Sequence, residues 1–393
     1  MKIDTDQQKI KDLLTRGVEN IYPDRDFLEK RLKSGEQLSL YLGIDPTGPD
    51  LHLGHAISLM KLRQFQDLGH KVILLIGSFT AMIGDPTDKL AIRKPLTRER
   101  VMENCQKYKK QAANILDMKK TEIKYNHKWL DKLNFKDVVE LAANFTVQQM
   151  LERDMFEKRI NNGKPVGLHE FLYPLMQGYD SVAMEVDGEL GGNDQTFNML
   201  AGRTLMKNML NKEKFVMTNK LLVDSEGKKM GKTEGNMISL GDSAKEIFGK
   251  VMSWSDDMID IGFELCTFVP KNEYKKIIKE NKNPRDQKII LAEKIVTIYF
   301  DQKSAEQEKE NFINTFAKKK TPENITGADL AGKSILEVLV KSGMVDSKSQ
   351  ARRDIQGGGV KINQEKVGDS DFEIKVKSGD IVQKGKRHFL KIN

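Results

Sequence analysis

Apolar positions along this chain fall into two rhythms. Residues 38–44, Leu-Ser-Leu-Tyr-Leu-Gly-Ile, form the near-continuous apolar run of a buried strand, stopped by Asp45-Pro46-Thr47-Gly48-Pro49-Asp50. Leu51, Leu53, Ile57, Leu59, Met60 and Leu62 then recur at helical spacing, which predicts a helix to about Leu68 with Gly69 as its stop. Lys71 to Ile76 is a second apolar strand. Strand, helix, strand is the unit of a parallel sheet covered on both faces. Its first strand-to-helix turn lies at the carboxyl end of the sheet, where open α/β folds bind nucleotides.

Further on, the pattern from Thr97 to about Asn161 is mostly helical, and Gly167 to Gln195 returns to short apolar segments with Gly-rich breaks. That order predicts one sheet interrupted by a helical insertion. Leu221 to Asn236 reads as a polar, Gly- and Lys-rich loop, and Ser243 to about Phe316 is helical again. Ala317 to Gly332 is polar and marked by Pro and Gly, the composition of a linker.

With 393 residues the chain is long enough for two or three domains. A 38% hydrophobic and 31% charged composition, with no apolar run near the roughly 20 residues a bilayer needs, excludes a membrane-spanning protein. The N-terminus mixes acids and bases without the apolar core of a signal peptide, so a cytoplasmic location is expected. Cys105 and Cys266 are far apart and belong to no Cys-x-x-Cys pair, which supports neither a disulfide framework nor a thiolate zinc site. The formal charge is +8. From Lys333 to Asn393 thirteen Lys and Arg face eight Asp and Glu, so the tail is the basic pole.

Two short segments carry candidate chemistry. In the first, His52 and His55 stand three apart on the first turn of the expected helix, so they project to one side, next to exposed N–H groups that favour an anion. Gly54 between them has no Cβ, which lets a flat ring approach the backbone. Alone, such a pair also fits two ordinary polar residues on a half-buried helix. A metal pair would need a third ligand, and His70, His127, His169 and His388 are scattered. The second segment is Lys229-Met230-Gly231-Lys232-Thr233, in a loop with Gly227 and Gly235. Two lysines on a mobile loop can close over a triphosphate and neutralise charge as pyrophosphate leaves, although a lysine-rich surface turn has the same composition.

Together, a strand followed by Pro46-Thr47, His52, Gly54 and His55, and later Lys229-Met230-Gly231-Lys232-Thr233, resemble the two signatures of class I aminoacyl-tRNA synthetases. The match is closest to the tyrosyl-tRNA synthetase family. Tyr41-Leu42-Gly43-Ile44-Asp45-Pro46-Thr47 resembles its YxGxDPT, and Ile83-Gly84-Asp85-Pro86-Thr87 its IGDPT. Tyr173-Pro174-Leu175-Met176-Gln177-Gly178-Tyr179-Asp180 resembles its YPLxQxxD, and Gly191-Gly192-Asn193-Asp194-Gln195 its GGxDQ.

That resemblance implies a Rossmann-like α/β catalytic domain over 1–236, with a helical insertion and homodimer interface at about 118–165. A helical anticodon-side domain over 237–320, a linker over 321–332 and a small α+β S4-like RNA-binding domain over 333–393 follow. It implies ATP, entering with Mg²⁺, L-tyrosine and tRNA(Tyr) as substrates, with no protein-bound metal or organic cofactor. By carry-over, Asp85, Tyr173 and Gln177 receive the tyrosine ammonium, Tyr41 and Asp180 the phenol, and Gln195 lies near the reacting carboxylate. A buried acceptor that expects a hydroxyl proton is left unpaired by phenylalanine. Gly43, Asp45, Gly54, Gly192 and Asp194 carry over to the adenosine side, and His52, His55, Lys229, Lys232 and Thr233 to transition-state stabilisation.

Some positions depart from the family's commonest pattern. Gly231 stands where serine is usual, Asp88 where glycine often follows GDPT, and Thr196-Phe197-Asn198 where Trp-Gly-Asn is frequent. These variants resemble a bacterial subgroup. In the tail, Ser334 to Val340 and Ser347 to Ile355 read as two amphipathic helices, and Gly357-Gly358-Gly359 as the turn into short strands. That order resembles an S4-type domain, in which Arg352, Arg353, Lys361 and Lys386 would meet phosphates. Other nucleotidyltransferases share His-x-Gly-His, but Asp180 with Tyr41 and the S4-like tail argue against them. A non-catalytic RNA-binding relative would be expected to have lost His52, His55 or Lys232, and all three are present.

Overall fold

The apolar run after Gln37 becomes the central strand of a six-stranded sheet in the computed structural model. The structure describes residues 3–85, 96–152, 154–224, 226–231, 237–317, 325–368, 371–385 and 388–393. The sheet is built from β1 (Val18–Tyr22), β2 (Ser39–Ile44), β3 (Lys71–Ile76), β4 (Thr121–Tyr125), β5 (Gly188–Gly192) and β6 (Phe215–Asn219). Its order is β1-β6-β5-β2-β3-β4, with β1 antiparallel to β6 and every other pairing parallel. β2 and β3 are apolar throughout their centres because both faces are covered: Leu40, Tyr41, Leu42, Val72, Ile73, Leu74 and Leu75 are all buried.

The helix between β2 and β3 spans Leu53–Asp67, one residue short of the boundary expected at Leu68. His52 is its N-cap, and Gly69 beyond its end takes φ 91°, which a side chain would resist. From β2 the chain moves to β3 on one side, while β5 lies against β2 on the other. This is a topological switch point, and it opens a crevice at the carboxyl ends of β2, β3 and β5.

Two segments differ from the sequence pattern. Within the stretch that reads as helical, Thr121–Tyr125 is an edge strand paired with β3; its residues are only half-buried, so polar side chains alternate with apolar ones over just five positions. The stretch from Gly167, which reads as short segments, holds a 17-residue helix, Leu168–Met184, with Pro174 inside it. Proline and glycine within YPLxQG mask its period.

Residues Met1–Ala305 form one compact unit and Glu306–Asn393 another. In the first unit, helices Ala244–Met252, Met258–Cys266, Lys271–Glu280 and Pro284–Tyr299 follow the sheet and bury Ile247, Phe248, Val251, Phe263, Leu291 and Ile295. The guanidinium of Arg16 ties them to the α/β layer by donating to the carbonyls of Phe263, Glu264 and Thr267, at a helix end that has carbonyls to spare.

In the second unit, helices Ile335–Lys341 and Lys348–Gln356 begin at the side-chain caps Ser334 and Ser347, as the sequence pattern implies. They pack on a sheet of β7 (Gly327–Ala328), β8 (Val360–Ile362), β9 (Glu365–Lys366), β10 (Ile381–Lys384) and β11 (His388–Ile392), in the order β7-β11-β10-β8-β9. Ile335, Val338, Leu339, Ile355, Val360, Val382 and Ile392 form its core. β7 falls inside the stretch read as a linker and pairs in parallel with β11.

Candidate active site

At the switch point lies a cleft of about 860 Å³. It is lined by Tyr41, Gly43, Asp45, His52, Gly54, His55, Asp85, Tyr173, Gln177, Asp180, Gly192, Asp194, Gln195 and Lys229. Lys232 and Thr233 lie outside the described residues, as do Asp88 and Lys386. Gly231, which begins the gap around Lys232, is itself part of the cleft wall.

At one end, helix Leu168–Met184 presents Tyr173, Gln177 and Asp180, which share a face at helical spacing. Asp180 is buried, and its carboxylate accepts from Trp129 Nε1 at 2.7 Å and Asn126 Nδ2 at 3.2 Å. Burial pushes the Asp180 carboxyl well above the usual carboxylate range, while these two hydrogen bonds oppose that rise. Asn126 cannot turn its oxygen toward Asp180, because that oxygen accepts the backbone N–H of Phe79 at 2.8 Å. Both neighbours are therefore obligate donors, which suits the ionised carboxylate, and the cleft side is where a further donor can reach it.

Tyr41 from β2 has no exposed surface, and its hydroxyl pairs with Ser181 Oγ at 3.0 Å rather than with Asp180. The Tyr173 hydroxyl donates to Asp45 Oδ2 at 2.8 Å, and Thr80 Oγ1 donates to Asp45 Oδ1 at 2.6 Å. Asp45 is thus tied to the Tyr173 side of the cleft as well as to the end of β2. Gly77 makes room for it: a Cβ there would fall 1.8 Å from Asp45 Oδ1. Asn126 Nδ2 also donates to Thr80 Oγ1 at 3.0 Å, so one hydrogen-bonded chain links the Asp45 and Asp180 carboxylates. Gln195 donates to Asp85 Oδ2 at 2.7 Å and accepts from Asn198 Nδ2 at 2.9 Å.

The other end is lined by two imidazoles and the Lys229 ammonium. The His52 and His55 rings lie 3.9 Å apart. His52 Nδ1 accepts from the Gly54 N–H at 3.1 Å, and His55 Nδ1 accepts from the His52 N–H at 3.2 Å. In each neutral ring the proton then sits on Nε2, where it can be donated to a phosphate oxygen. Burial, then His52 and Lys229, hold the His55 pKa well below its ordinary value, so His55 is neutral near pH 7 and keeps its single N–H. The space over Gly54 is used by the pair itself, because a Cβ there would meet the His52 ring at 2.9 Å. Lys229 Nζ donates to Asp194 Oδ2 at 2.6 Å, so an acid of GGxDQ and a lysine of the glycine-rich loop meet. A backbone bridge between His52 and Ser239 fixes the chain just beyond that loop beside the histidines.

Several residues that build the cleft carry no signal in the motifs: Thr80 and Glu189 line it, and Asn126, Trp129, Ser181 and Lys214 support the lining residues by hydrogen bonds from behind. Ser181, next to Asp180, and Glu189, two residues before Gly191, are the ones that adjacency to a motif could have flagged. In the second unit, Arg352 and Arg353 are exposed on helix Lys348–Gln356, with the Arg352 guanidinium 5.8 Å over the Phe372 ring, and Lys361 lies on β8. Among the described residues there is no group of three His, Cys, Asp or Glu that could hold a metal, and no helix long and apolar enough to cross a membrane.

Fold and cleft define a class: an α/β domain whose largely parallel sheet opens a cleft at its switch point, lined by paired histidines and a lysine of a glycine-rich loop. Residues 33–317 match the family of tRNA synthetases class I (W and Y), and residues 314–392 match the tyrosine–tRNA ligase SYY-like C-terminal domain. The tyrosine–tRNA ligase of Haemophilus influenzae is 46% identical over 384 residues, which is 96% of this chain and 95% of that protein. Tyrosine–tRNA ligase 2 of Vibrio parahaemolyticus is 45% identical over 385 residues, covering 96% and 97%. The chain belongs to the tyrosine–tRNA ligase family. The fold is shared with a C-terminally truncated mitochondrial tyrosyl-tRNA synthetase of Coccidioides posadasii, with a TM-score of 0.65 at 24% identity over 78% of this chain and 92% of that one. It is shared as well with the Archaeoglobus fulgidus tyrosyl-tRNA synthetase complexed with L-tyrosine, at a TM-score of 0.60 and 20% identity over 77% and 99%.

Proposed function

We propose that the cleft joins L-tyrosine to AMP and that the same site passes the tyrosyl group to the 3′ end of tRNA(Tyr). The chain is a tyrosine–tRNA ligase that uses ATP as substrate. The observation that carries the residue assignment is the polarity of the cleft. A buried carboxylate held by two donors, Asp180, stands at one end, and His52, His55 and Lys229 stand at the other.

In the first step a carboxylate oxygen of tyrosine attacks the α-phosphorus of ATP; a C–O–P link forms, the bond to the β-phosphate oxygen breaks, and pyrophosphate leaves. The nucleophile is already ionised, so positioning and charge stabilisation do the catalysis. Asp180 and Tyr41 hold the phenol. Tyr173, Gln177 and Asp85 hold the ammonium, with Gln195 beside the carboxylate. Gly43, Asp45, Gly54, Gly192 and Asp194 form the adenosine side, where ATP enters with Mg²⁺. His52 and His55 donate from Nε2 to phosphate oxygens, and Lys229, Lys232 and Thr233 stabilise the leaving pyrophosphate. In the second step a ribose hydroxyl of the tRNA attacks the acyl carbon and AMP departs.

Arg352, Arg353, Lys361 and Lys386 meet tRNA phosphates from the S4-like domain. The enzyme works in the cytoplasm as a homodimer. The dimer is supported by Phe135, Val139, Val147 and Ile160, large apolar side chains exposed within the 118–165 segment; Phe135 is 85% exposed.

Lys232→Ala is the test of the loop assignment. Its expected effect is a barrier to tyrosyl-adenylate formation raised by about 2–3 kcal/mol, the scale of one lost charge-stabilising donor, with tyrosine affinity little changed. Stopped-flow measurement of an unchanged adenylate rate would remove Lys232 from the site.

A further inference from the structure

In the wall that carries Tyr41 and Gln177, and reaching behind it, lies an ion pair that the chemistry above does not use. Lys214, just before β6, and Glu189, on β5, are both buried and are in direct contact. Glu189 stands beside Tyr41 in the β2–β5 register. Lys214 Nζ also donates to Ser181 Oγ at 2.8 Å and lies 5.8 Å over the Tyr41 ring. The fold reserves this place: a Cβ on Gly202 would fall 2.6 Å from Lys214 Nζ and 2.9 Å from Ser181 Oγ. A buried ion pair is weak support for stability, since apolar residues of similar volume often serve as well. What it does supply is direction.

An ammonium can only donate, so Ser181 Oγ is an acceptor toward Lys214. The remaining partner for the Ser181 proton is Tyr41 Oη, 3.0 Å away, and Tyr41 then keeps its own proton to give. Glu189, opposite Tyr41 in the β2–β5 register, is the competing acceptor for that proton. A substrate phenol that gives its proton to Asp180 has a lone pair ready to receive it. On the ammonium side, Gln177 Nε2 donates to Glu189 Oε1 at 3.0 Å, which leaves the Gln177 carbonyl oxygen to accept.

We propose that the Lys214–Glu189 pair is the positioning element of the amino-acid pocket. Lys214, through Ser181, makes Tyr41 a donor to the substrate's phenol oxygen. Glu189, by taking the amide N–H of Gln177, turns the Gln177 carbonyl toward the substrate's ammonium. This rests on the assignment of the cleft to tyrosine made above.

Removing one member would strand a buried charge, so the test removes both, with Lys214→Met and Glu189→Met combined in the full chain, and adds Ser181→Ala alone. Pyrophosphate exchange with tyrosine and with phenylalanine, at varied ATP, is measured alongside thermal unfolding. The double variant is expected to raise KM for tyrosine about tenfold and to cut the preference for tyrosine over phenylalanine about tenfold, the size of one charge-assisted hydrogen bond, with KM for ATP within about twofold. Ser181→Ala is expected to cut the preference several-fold and to leave KM for phenylalanine unchanged.

A folded double variant with wild-type KM and preference overturns the proposal, as does a parallel loss toward tyrosine and ATP, which marks a structural role. If the double variant does not fold, Ser181→Ala decides, and an unchanged preference overturns the proposal. Asp180→Ala in the same series separates the two levels. If it keeps the preference, the assignment of the cleft fails; if it loses the preference while the double variant keeps it, only the role of the pair fails.

Discussion

Asp180→Ala is expected to lower kcat/KM for tyrosine in pyrophosphate exchange by about 3 kcal/mol, roughly a hundredfold, and to leave kcat/KM for phenylalanine within about threefold. The carboxylate is buried, and its two protein partners are both donors, so the bond it can add is with a proton from the cleft. Tyrosine offers that proton and phenylalanine does not. Alanine at 180 also strands Trp129 Nε1 and Asn126 Nδ2, which costs stability but not preference, so unfolding is measured on the same preparation. A variant that is less stable yet keeps the full preference for tyrosine would show Asp180 to be a structural carboxylate.

Deleting residues 325–393 is expected to leave tyrosine-dependent exchange within about twofold and to weaken tRNA charging on the order of a hundredfold. Every cleft residue lies within Met1–Ala305, which has its own core, while Arg352, Arg353 and Lys361 lie in the other unit. Each lost phosphate contact removes about 0.7–0.9 from the slope of log affinity against log salt, so three such contacts flatten it by about 2–3. Equal loss of exchange and charging would mean that the small unit serves the adenylation site as well. An unchanged salt slope would mean that these three residues do not touch phosphate.

The cleft was legible in sequence where chemistry and backbone coincide. Asp45, Asp194 and Gln195 follow strand ends closely, His52, His55 and Asp85 lie in or beside the helices those strands lead into, and Tyr41 lies within β2, so short contiguous blocks carry them, and the structure gathers them in one crevice. Tyr173, Gln177 and Asp180 were legible as a motif but not as a helix, because Pro174 and Gly178 interrupt the apolar period. The strand Thr121–Tyr125 was hidden because an edge strand needs an apolar side chain only at alternate positions, and here there are five positions in all.

The supporting wall was not legible. Trp129 and Asn126 reach Asp180 across more than fifty positions of sequence, and Lys214 looks like any surface lysine until its burial against Glu189 and Ser181 is seen. Burial of a charge follows from which elements pack together, and no local pattern states it.

The most direct test of tyrosine activation in this cleft is pyrophosphate exchange by the wild-type chain with each of the twenty amino acids in turn. The expected result is rapid exchange with tyrosine, and exchange with phenylalanine at least about a hundredfold slower, because Asp180 is then left without its cleft-side donor. Comparable exchange with another amino acid, or none with tyrosine, would contradict it.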